Sequence, residues 1–310
     1  MKLRASKVAA TERRNSRSSG LDRKTTLEIL RVINREDEGV ARAVARELPA
    51  IARAVDAIAL AFRRGGRLIY VGAGSSGRMG ALDASECPPT FGVPRARVQA
   101  IIAGGRRALT DAVEGAEDSA TQGARYISAM RVGANDVIVG VAAAGTTPFV
   151  LGALREARKR KAFTVALTAN RGAAIAKLAR VTIAPETGAE VITGSTRMKA
   201  GTAQKMVLNM LSTAAMVRAG RVYDNLMIDV AMTNEKLRRR AVRILEQASG
   251  KTALAAEHAL RQSGHDLRTA LVMLKTGATR DEARKRLAAA RGDLRKALES
   301  GAARRGRFRK

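Results

Sequence analysis

The sequence predicts an α/β protein in which a mainly parallel sheet is flanked by helices, with further helices ahead of the sheet and a small all-α module after it. Two observations support this prediction. Short apolar runs rich in Val and Ile alternate with segments of helical periodicity in the middle of the chain, and the chain beyond Gly250 shows helical periodicity alone. Buried strands that alternate with helices are typical of a parallel sheet covered on both faces.

Two helices are predicted ahead of the sheet. Residues 25–66 place apolar side chains at helical spacing and end on Gly65-Gly66, with a break between the helices expected near residues 34–37. Strands are predicted at residues 67–71, 98–102, 136–141, 163–167 and 181–185, and further helices at residues 109–130, 147–161 and 201–216. Beyond Gly250, three short helices are predicted, separated at Gly264 and Gly277.

The chain is predicted to divide into four segments. These are a basic disordered tail at residues 1–20, the α/β domain with its N-terminal helices at 21–249, the helical module at 250–298 and a second basic tail at 299–310. The formal net charge is +29, and much of it lies in the tails and on Arg-rich helix faces, which indicates a solvated surface. A nucleic-acid function is the alternative. Because aromatic residues make up only 3% of the chain, base stacking is disfavoured, and no specific nucleic-acid partner is expected.

Cysteine and histidine are too scarce for several kinds of site. Cys87 is the only cysteine, so no internal disulfide is expected, and His258 and His265 both fall in the C-terminal helical region. No metal site and no His-based catalytic triad are therefore expected. No apolar run reaches the length of a membrane span and the N-terminus lacks a secretory h-region, so we expect a cytoplasmic protein with no membrane partner.

Three loops rich in Gly, Ser and Thr are each expected between a strand and a helix. They are GAGSSGR (72–78), AAAGTTP (142–148) and ITGSTRMKAGTAQK (192–205). Ligands of open parallel sheets bind beyond the carboxyl ends of the strands, and backbone N–H groups at helix starts suit a phosphate. The three loops together predict a site for a phosphorylated ligand.

The first loop also matches the dinucleotide pattern G-x-G-x-x-G. The second predicted strand, however, is followed by Gly104, Gly105 and Arg106, with no acidic residue to bind a ribose. Pro88-Pro89 is also expected to interrupt the helix that should follow the loop. A dinucleotide is therefore disfavoured.

Carboxylate side chains are the remaining candidates for catalytic groups. Glu86 is expected in a turn near the first loop, because Pro88 follows it closely. Glu117 and Asp118 come after the second predicted strand, and Glu190 precedes the third loop. Cys87 has no histidine nearby in the sequence to activate it, so we expect a small buried residue at this position.

Several long motifs resemble one enzyme family, the N-acetylmuramic acid 6-phosphate etherases. The motifs are GAGSSGRMGALDASECPPTFG, IIAGG, VEGAEDS, VGVAAAGTTPFVLGAL, TGSTRMKAGTAQKMVLNML and VYDNLMIDVAMTNEKLRRRA. The similarity runs from about Leu21 to about Ala290. That family belongs to the sugar isomerase (SIS) fold and is related to the glucokinase regulatory protein. The resemblance therefore implies a SIS-type sheet and a homodimer whose sites are completed across the interface.

The resemblance implies cleavage of the D-lactyl ether of N-acetylmuramic acid 6-phosphate without a cofactor, by β-elimination and water addition. The products would be N-acetylglucosamine 6-phosphate and D-lactate. The family's proton donor matches Glu86 in SECPPT, and its second catalytic glutamate matches Glu117 in AEDS. The resemblance therefore implies that Glu86 is the general acid to the lactate oxygen and Glu117 the base at C2, and the reverse partition of the two roles stays open. Glu190 is a rival, because related SIS isomerases use a glutamate just before their third loop.

The resemblance also assigns residues to the 6-phosphate. Donors are expected at Gly74, Ser75, Ser76, Gly145, Thr147, Ser195 and Thr196. Arg78 and Lys199 are expected either to supply positive charge or to pair with structural carboxylates. Ala144 departs from the pattern, since SIS phosphate loops commonly place a serine there, and this departure concerns affinity more than reaction type. Two other functions stay open: a non-catalytic sugar-phosphate sensor and a nucleic-acid-binding regulator.

Overall fold

The computed structural model describes residues 9–230, 232, 235–290 and 292–305. The chain forms two compact units. Of the described residues, the first unit contains those up to Ser85 together with Arg95–Thr213, and the second contains Glu86–Pro94 and those from Ala214 onward. The second unit thus begins earlier in the sequence than the helical module that was predicted from residue 250. Among the described residues, no helix combines the length and apolar character that a membrane crossing needs.

A five-stranded parallel sheet forms the centre of the first unit and confirms the predicted fold class. Its strands are β1 (Leu68–Gly72), β2 (Val98–Ile102), β3 (Val137–Val141), β4 (Phe163–Leu167) and β5 (Val181–Ile183). Their order is β2-β1-β3-β4-β5. Every residue of β1 and β3 is buried, as expected for central strands covered on both faces. The order reverses between β1 and β3, which makes that crevice the topological switch point of the sheet.

Two helices precede the sheet, α1 (Thr26–Ala45) and α2 (Leu48–Arg63). The prediction of a break near residues 34–37 is wrong, because that polar run contains no helix breaker and continues α1. The helices instead separate at residues 46–47, and Pro49 stands in the first turn of α2, where a missing N–H is tolerated.

Four helices of the sheet region follow, and the first of them continues past the point where the sequence predicts an interruption. They are α3 (Gly74–Phe91), α4 (Ala120–Ala129), α5 (Pro148–Lys159) and α6 (Lys199–Arg218). Pro88 and Pro89 lie inside α3, so they do not interrupt it where we expected. They stand in its last turn, and the helix closes with Gly92 N–H donating to the Pro88 carbonyl at 3.0 Å. Glu86 is therefore a helical residue and not a turn residue.

The chain ahead of α1 is ordered over residues 9–24, which we call the N-terminal strap. It forms three short 3₁₀ turns, Ala10–Glu12, Ser16–Ser18 and Leu21–Arg23. The predicted disordered tail at residues 1–20 is therefore wrong for residues 9–20, and residues 1–8 lie outside the described residues. Long-range hydrogen bonds order the strap, and these partners are not visible in its local composition.

Over the residues that the structure describes, the second unit contains a hairpin and five helices of its own. The hairpin pairs β6 (Val222–Tyr223) with β7 (Leu226–Met227), and the helices are α7 (Glu235–Ser249), α8 (Ala253–Gln262), α9 (Leu267–Thr276), α10 (Arg280–Ala289) and α11 (Leu294–Arg305). The three helices predicted beyond Gly250 correspond to α8, α9 and α10. Helix α11 extends into the predicted basic tail at 299–310, of which residues 306–310 lie outside the described residues.

Candidate active site

A cavity of about 390 Å³ lies in the first unit beyond the carboxyl ends of β1 and β3, at the switch point of the sheet. It is lined by Glu12, Ala73, Gly74, Ser75, Ser76, Glu117, Asp118, Val141, Ala142, Ala143, Ala144, Thr146, Thr147, Pro148 and Thr196. A neighbouring cavity of about 260 Å³ shares Ala73, Gly74, Ser75 and Glu117 with it and adds Arg78. The structure thus brings residues of all three predicted loops together.

The first loop is the start of helix α3. Because Gly77 N–H donates to the Ala73 carbonyl at 3.2 Å, the N–H groups of Gly74, Ser75 and Ser76 have no intrahelical acceptor. A Cβ on Gly77 would lie 2.6 Å from Cγ1 of Ile102 and 2.9 Å from the Gly72 carbonyl oxygen. The glycine pattern therefore serves close packing of strand on helix, and it exposes three N–H donors to the cavity.

The second loop presents hydroxyl groups but no serine. Thr147 is the N-cap residue of α5, and its side chain makes no capping hydrogen bond, which leaves the hydroxyl for a ligand. Thr146 also lines the cavity, whereas Ala144 lines it without a hydroxyl. Gly145 is buried with φ +75°, and a Cβ there would lie 2.3 Å from Cβ of Ala173. Gly145 therefore shapes the loop, and it is not among the residues that line the cavity.

The third loop contributes through a side chain and not through helix N–H groups. Thr196 lines the cavity, and Ser195 does not. The first N–H groups of α6 already have acceptors, because Glu190 accepts from Lys199 N at 3.0 Å and from Ala200 N at 2.9 Å, and Gly201 N donates to the Thr196 carbonyl at 2.9 Å. The amide groups at this helix start are therefore not available to a phosphate.

Glu190, the predicted rival base, is a fully buried capping residue. Its side chain is 0% exposed, and burial raises its pKa despite the two N–H donors and the nearby Lys199. It is absent from the lining of both cavities. The structure therefore gives Glu190 a capping role at α6.

Lys199, one of the two predicted positive charges, is held in a buried ion pair. Its Nζ lies 2.6 Å from Oε2 of Glu36, and each side chain is 3% exposed. Glu36 also accepts from Asn15 Nδ2 at 2.8 Å and pairs with Arg17 Nε at 2.8 Å. We call these four residues the Glu36 network. Of the two roles foreseen for Lys199, the structure shows the structural one, and Lys199 does not line the cavity.

Arg78, the other predicted charge, supports the loop that carries Glu117. Its Nε donates to the Ala108 carbonyl at 2.9 Å and its Nη2 donates to the Asp111 carbonyl at 2.8 Å. This loop continues to the 3₁₀ turn Ala116–Asp118, so Arg78 restrains the segment leading to that turn. It also borders the smaller cavity, where its charge is close to the first loop.

The two predicted catalytic glutamates occupy different places. Glu117 is exposed on its 3₁₀ turn and lines both cavities. Glu86 is exposed on α3 and lines neither. It stands twelve residues after Gly74 along the helix, which at 1.5 Å per residue is a distance of about 18 Å. Glu86 therefore lies in the C-terminal half of the helix that the first loop begins.

Glu12 and Asp118 line the cavity although the sequence analysis assigned neither to the site. Asp118 is the neighbour of Glu117, so adjacency alone was a signal. Glu12 was counted with the tail, and no local pattern shows that the strap returns to the sheet. Among the residues that the structure describes, no group of three or more His, Cys, Asp and Glu side chains is arranged to hold a metal ion.

Comparison with known proteins identifies the family to which this chain belongs. The family model for the glucokinase regulatory protein N-terminal SIS domain matches residues 50–158, the SIS domain model matches residues 116–214, and the model for the C-terminal lid domain of glucokinase regulatory protein matches residues 224–270. The N-acetylmuramic acid 6-phosphate etherase of Aeromonas hydrophila is 53% identical over 282 residues, covering 91% of this chain and 95% of the relative. The chain belongs to the N-acetylmuramic acid 6-phosphate etherase family. The etherase of Geobacillus thermodenitrificans is 52% identical over 290 residues, covering 94% of this chain and 98% of that relative.

Solved structures similar to this etherase-family chain include sugar-phosphate isomerases. A phosphoheptose isomerase from Francisella tularensis matches with a TM-score of 0.45 and 17% identity, covering 62% of this chain and 98% of the isomerase. The phosphoheptose isomerase of Neisseria gonorrhoeae matches with a TM-score of 0.46 and 17% identity, with the same coverage of 62% and 98%.

Proposed function

We propose that this chain cleaves the D-lactyl ether of N-acetylmuramic acid 6-phosphate, giving N-acetylglucosamine 6-phosphate and D-lactate. The observation that carries the proposal is an identity of 53% over 91% of the chain to a relative named for this activity. The cavity at the switch point is consistent with this proposal, because it combines hydrogen-bond donors suited to a phosphate with a carboxylate. The reaction would be that of a carbon–oxygen lyase, acting in the cytoplasm in the recycling or catabolism of cell-wall amino sugars.

The phosphate is proposed to bind at the start of α3. The free N–H groups of Gly74, Ser75 and Ser76 and the positive end of the helix dipole favour an anion there. The hydroxyls of Thr147 and Thr196 are further donors that line the same cavity. No Lys or Arg is among the described residues lining it, so neutral donors would hold the phosphate. The hydroxyl missing at Ala144 has a neighbouring substitute in Thr146.

The chemistry needs one carboxylate base and one carboxylic acid. In the ring-opened sugar, the C2 proton is α to an aldehyde, and a base that removes it leaves the electron pair in an enolate. This pair forms the C2–C3 double bond as the C3–O bond breaks, and the departing lactate oxygen takes a proton from the acid. Water then adds at C3 and C2 is reprotonated, so the net reaction is a hydrolysis without redox change.

We assign the base to Glu117 and the acid to Glu86. Glu117 lines the cavity beside the first loop, where it is close to the proposed phosphate position. Glu86 stands about 18 Å along α3 from that loop, so we infer that a second copy of the chain supplies the acid. The function therefore includes a homodimer whose site is shared between the two copies.

The test replaces each glutamate by glutamine and measures D-lactate release from N-acetylmuramic acid 6-phosphate. We expect a loss of about 10²- to 10⁴-fold for Glu86→Gln and for Glu117→Gln, the usual range for a general acid or base. Glu38→Gln, an exposed change of the same kind on α1, is the control and should retain full activity. Full activity in either site variant would contradict its assignment.

Exchange of the C2 proton with solvent deuterium separates the two roles. Glu86→Gln should still exchange this proton, because the base is present, but should not release lactate. Glu117→Gln should neither exchange the proton nor release lactate. The opposite pattern would exchange the two assignments.

A non-catalytic sugar-phosphate sensor is the second candidate, since family models of the glucokinase regulatory protein match this chain. Such a protein needs the hydrogen-bond donors that bind the phosphate, but it does not need Glu117 in the cavity. If the unaltered protein bound N-acetylglucosamine 6-phosphate and released no lactate from the muramic acid substrate, the sensor would replace the enzyme.

A further inference from the structure

The N-terminal strap places an acidic side chain, Glu12, at the 390 Å³ cavity. The strap reaches this position although α1 and α2 separate it from the sheet in the sequence. Neither catalytic assignment above uses Glu12.

Hydrogen bonds fix the strap on both sides of Glu12. Ala10 N donates to Oδ1 of Asn170 at 2.9 Å, just ahead of Glu12. Asn15 Nδ2 donates to Glu36 at 2.8 Å and Ser18 Oγ donates to the Val191 carbonyl at 2.8 Å, both just after it. Thr11 is fully buried beside it. The backbone of Glu12 is thus held in one place, so its position at the cavity is not that of a loose chain end.

The carboxylate of Glu12 is left available to a ligand. Glu12 is exposed, and within the described part of the chain its side chain makes no hydrogen bond or ion pair, although its backbone N–H donates to the Ala9 carbonyl at 2.9 Å. Its Oε2 lies 3.1 Å from the position that a Cβ on Gly194 would occupy, and Gly194 has φ +76°. Because residue 194 is a glycine, the third loop leaves room for this carboxylate at the cavity.

The chemistry of a carboxylate decides which part of a ligand it can bind. An ionised carboxylate only accepts hydrogen bonds, and it repels a phosphate. Among sugar groups, its partners are hydroxyls and the N–H of an acetamido group. The N–H groups and hydroxyls of the first loop suit the phosphate, so Glu12 fits the other end of the ligand.

We propose that Glu12 is a substrate-binding residue of this site, whose carboxylate accepts a hydrogen bond from a hydroxyl or acetamido N–H group of the amino sugar. This inference rests on the proposed function for the identity of the sugar. The strap would thereby contribute to the choice of sugar, while the first loop binds the phosphate.

The test compares Glu12→Ala and Glu12→Gln with Asp22→Asn, a control that removes an exposed acid of the same strap outside both cavities. A hydrogen bond to a charged group corresponds to about a 10- to 100-fold change in affinity. We therefore expect Glu12→Ala to lower kcat/KM for lactate release, and the affinity for N-acetylglucosamine 6-phosphate, by about that factor. Glu12→Gln should lose less, since its amide oxygen still accepts. Asp22→Asn should match the unaltered protein.

Inorganic phosphate is the probe that separates this role from a structural one. Its inhibition constant should be unchanged or lower in Glu12→Ala, because a negative charge is removed, while the sugar phosphate binds more weakly. Equal weakening of both probes, or unchanged sugar-phosphate affinity, would overturn the inference. If the unaltered protein released no lactate, the proposed function would fail, and binding of N-acetylglucosamine 6-phosphate would still decide the role of Glu12.

Discussion

Replacing Lys199 by methionine tests whether this lysine is structural, as the structure places it, or a phosphate ligand. The ion pair of Lys199 with Glu36 is buried, with both side chains 3% exposed and the charged atoms 2.6 Å apart. Removing one partner of a buried pair leaves an uncompensated charge and lowers the free energy of unfolding by about 3 to 5 kcal/mol. Lys199→Met should therefore act mainly on stability.

The loss in free energy of unfolding for Lys199→Met should lie at the low end of that range. Glu36 keeps two other partners, Asn15 and Arg17, each at 2.8 Å. The Arg17 side chain is 75% exposed, however, so solvent screens its charge and it replaces Lys199 only in part. We expect a loss of about 3 kcal/mol, which is a decrease of roughly 150-fold in the ratio of folded to unfolded protein. The double variant Glu36→Gln/Lys199→Met should lose less than the sum of the two single variants, because no buried charge is left without a partner.

The assay is urea unfolding followed by circular dichroism, because the chain has no Trp for fluorescence. Arg239→Met, which breaks an exposed pair with Glu235, is the matched control and should change the free energy of unfolding by less than about 1 kcal/mol. Under conditions where Lys199→Met is folded, its KM for the sugar phosphate should stay within about twofold of the unaltered protein, since the lysine does not line the cavity. Unaltered stability combined with a tenfold higher KM would refute this reasoning and make Lys199 a phosphate ligand.

Two further predictions concern packing and pH. Gly77→Ala should lower the free energy of unfolding by about 1 to 3 kcal/mol, because its Cβ would lie 2.6 Å from Ile102. Gly39→Ala is the control: a Cβ there would have nothing within 4 Å, so this variant should raise the free energy of unfolding by up to about 1 kcal/mol. Equal effects of the two variants in urea unfolding would contradict the packing argument. Asp136 is buried, which by itself raises its pKa, but hydrogen bonds and charge from Arg67 outweigh burial and hold the pKa of Asp136 below its usual range. The pair therefore stabilises the fold above about pH 4 and its contribution is lost as the pH falls further. Asp136→Asn should be less stable than the unaltered protein at pH 7, and the gap should narrow towards pH 3; a gap independent of pH would contradict this assignment.

Local patterns were sufficient to predict the sheet and most of its helices. Each of the five apolar runs became a parallel strand, and the glycine-rich loops meet at the switch point between β1 and β3. Hydrophobic periodicity and Gly helix stops act over a few residues, so they can be applied to a sequence before its tertiary contacts are known. The family was likewise visible in long contiguous motifs.

Proline was the local signal that misled. Pro88-Pro89 indicated an interrupted helix, yet both lie in the last turn of α3. A proline removes one N–H and clashes with the preceding turn, and the cost depends on where in the helix it stands. On this argument the sequence predicts Glu86 near the first loop, whereas the helix separates the two by about 18 Å.

The sequence by itself determined the succession of strands and helices along the chain, the three loops rich in Gly, Ser and Thr and the family, because these depend on residues that are neighbours along the chain. Only the tertiary structure decided that Glu190 caps α6, that Lys199 pairs with Glu36 and that Glu12 reaches the cavity. Lys199 and Glu36 are 163 residues apart in the sequence, and Ala10 is 160 residues from Asn170. The physical reason is that a polar side chain has several chemically equivalent partners, and the folded backbone alone selects which one is within hydrogen-bonding distance.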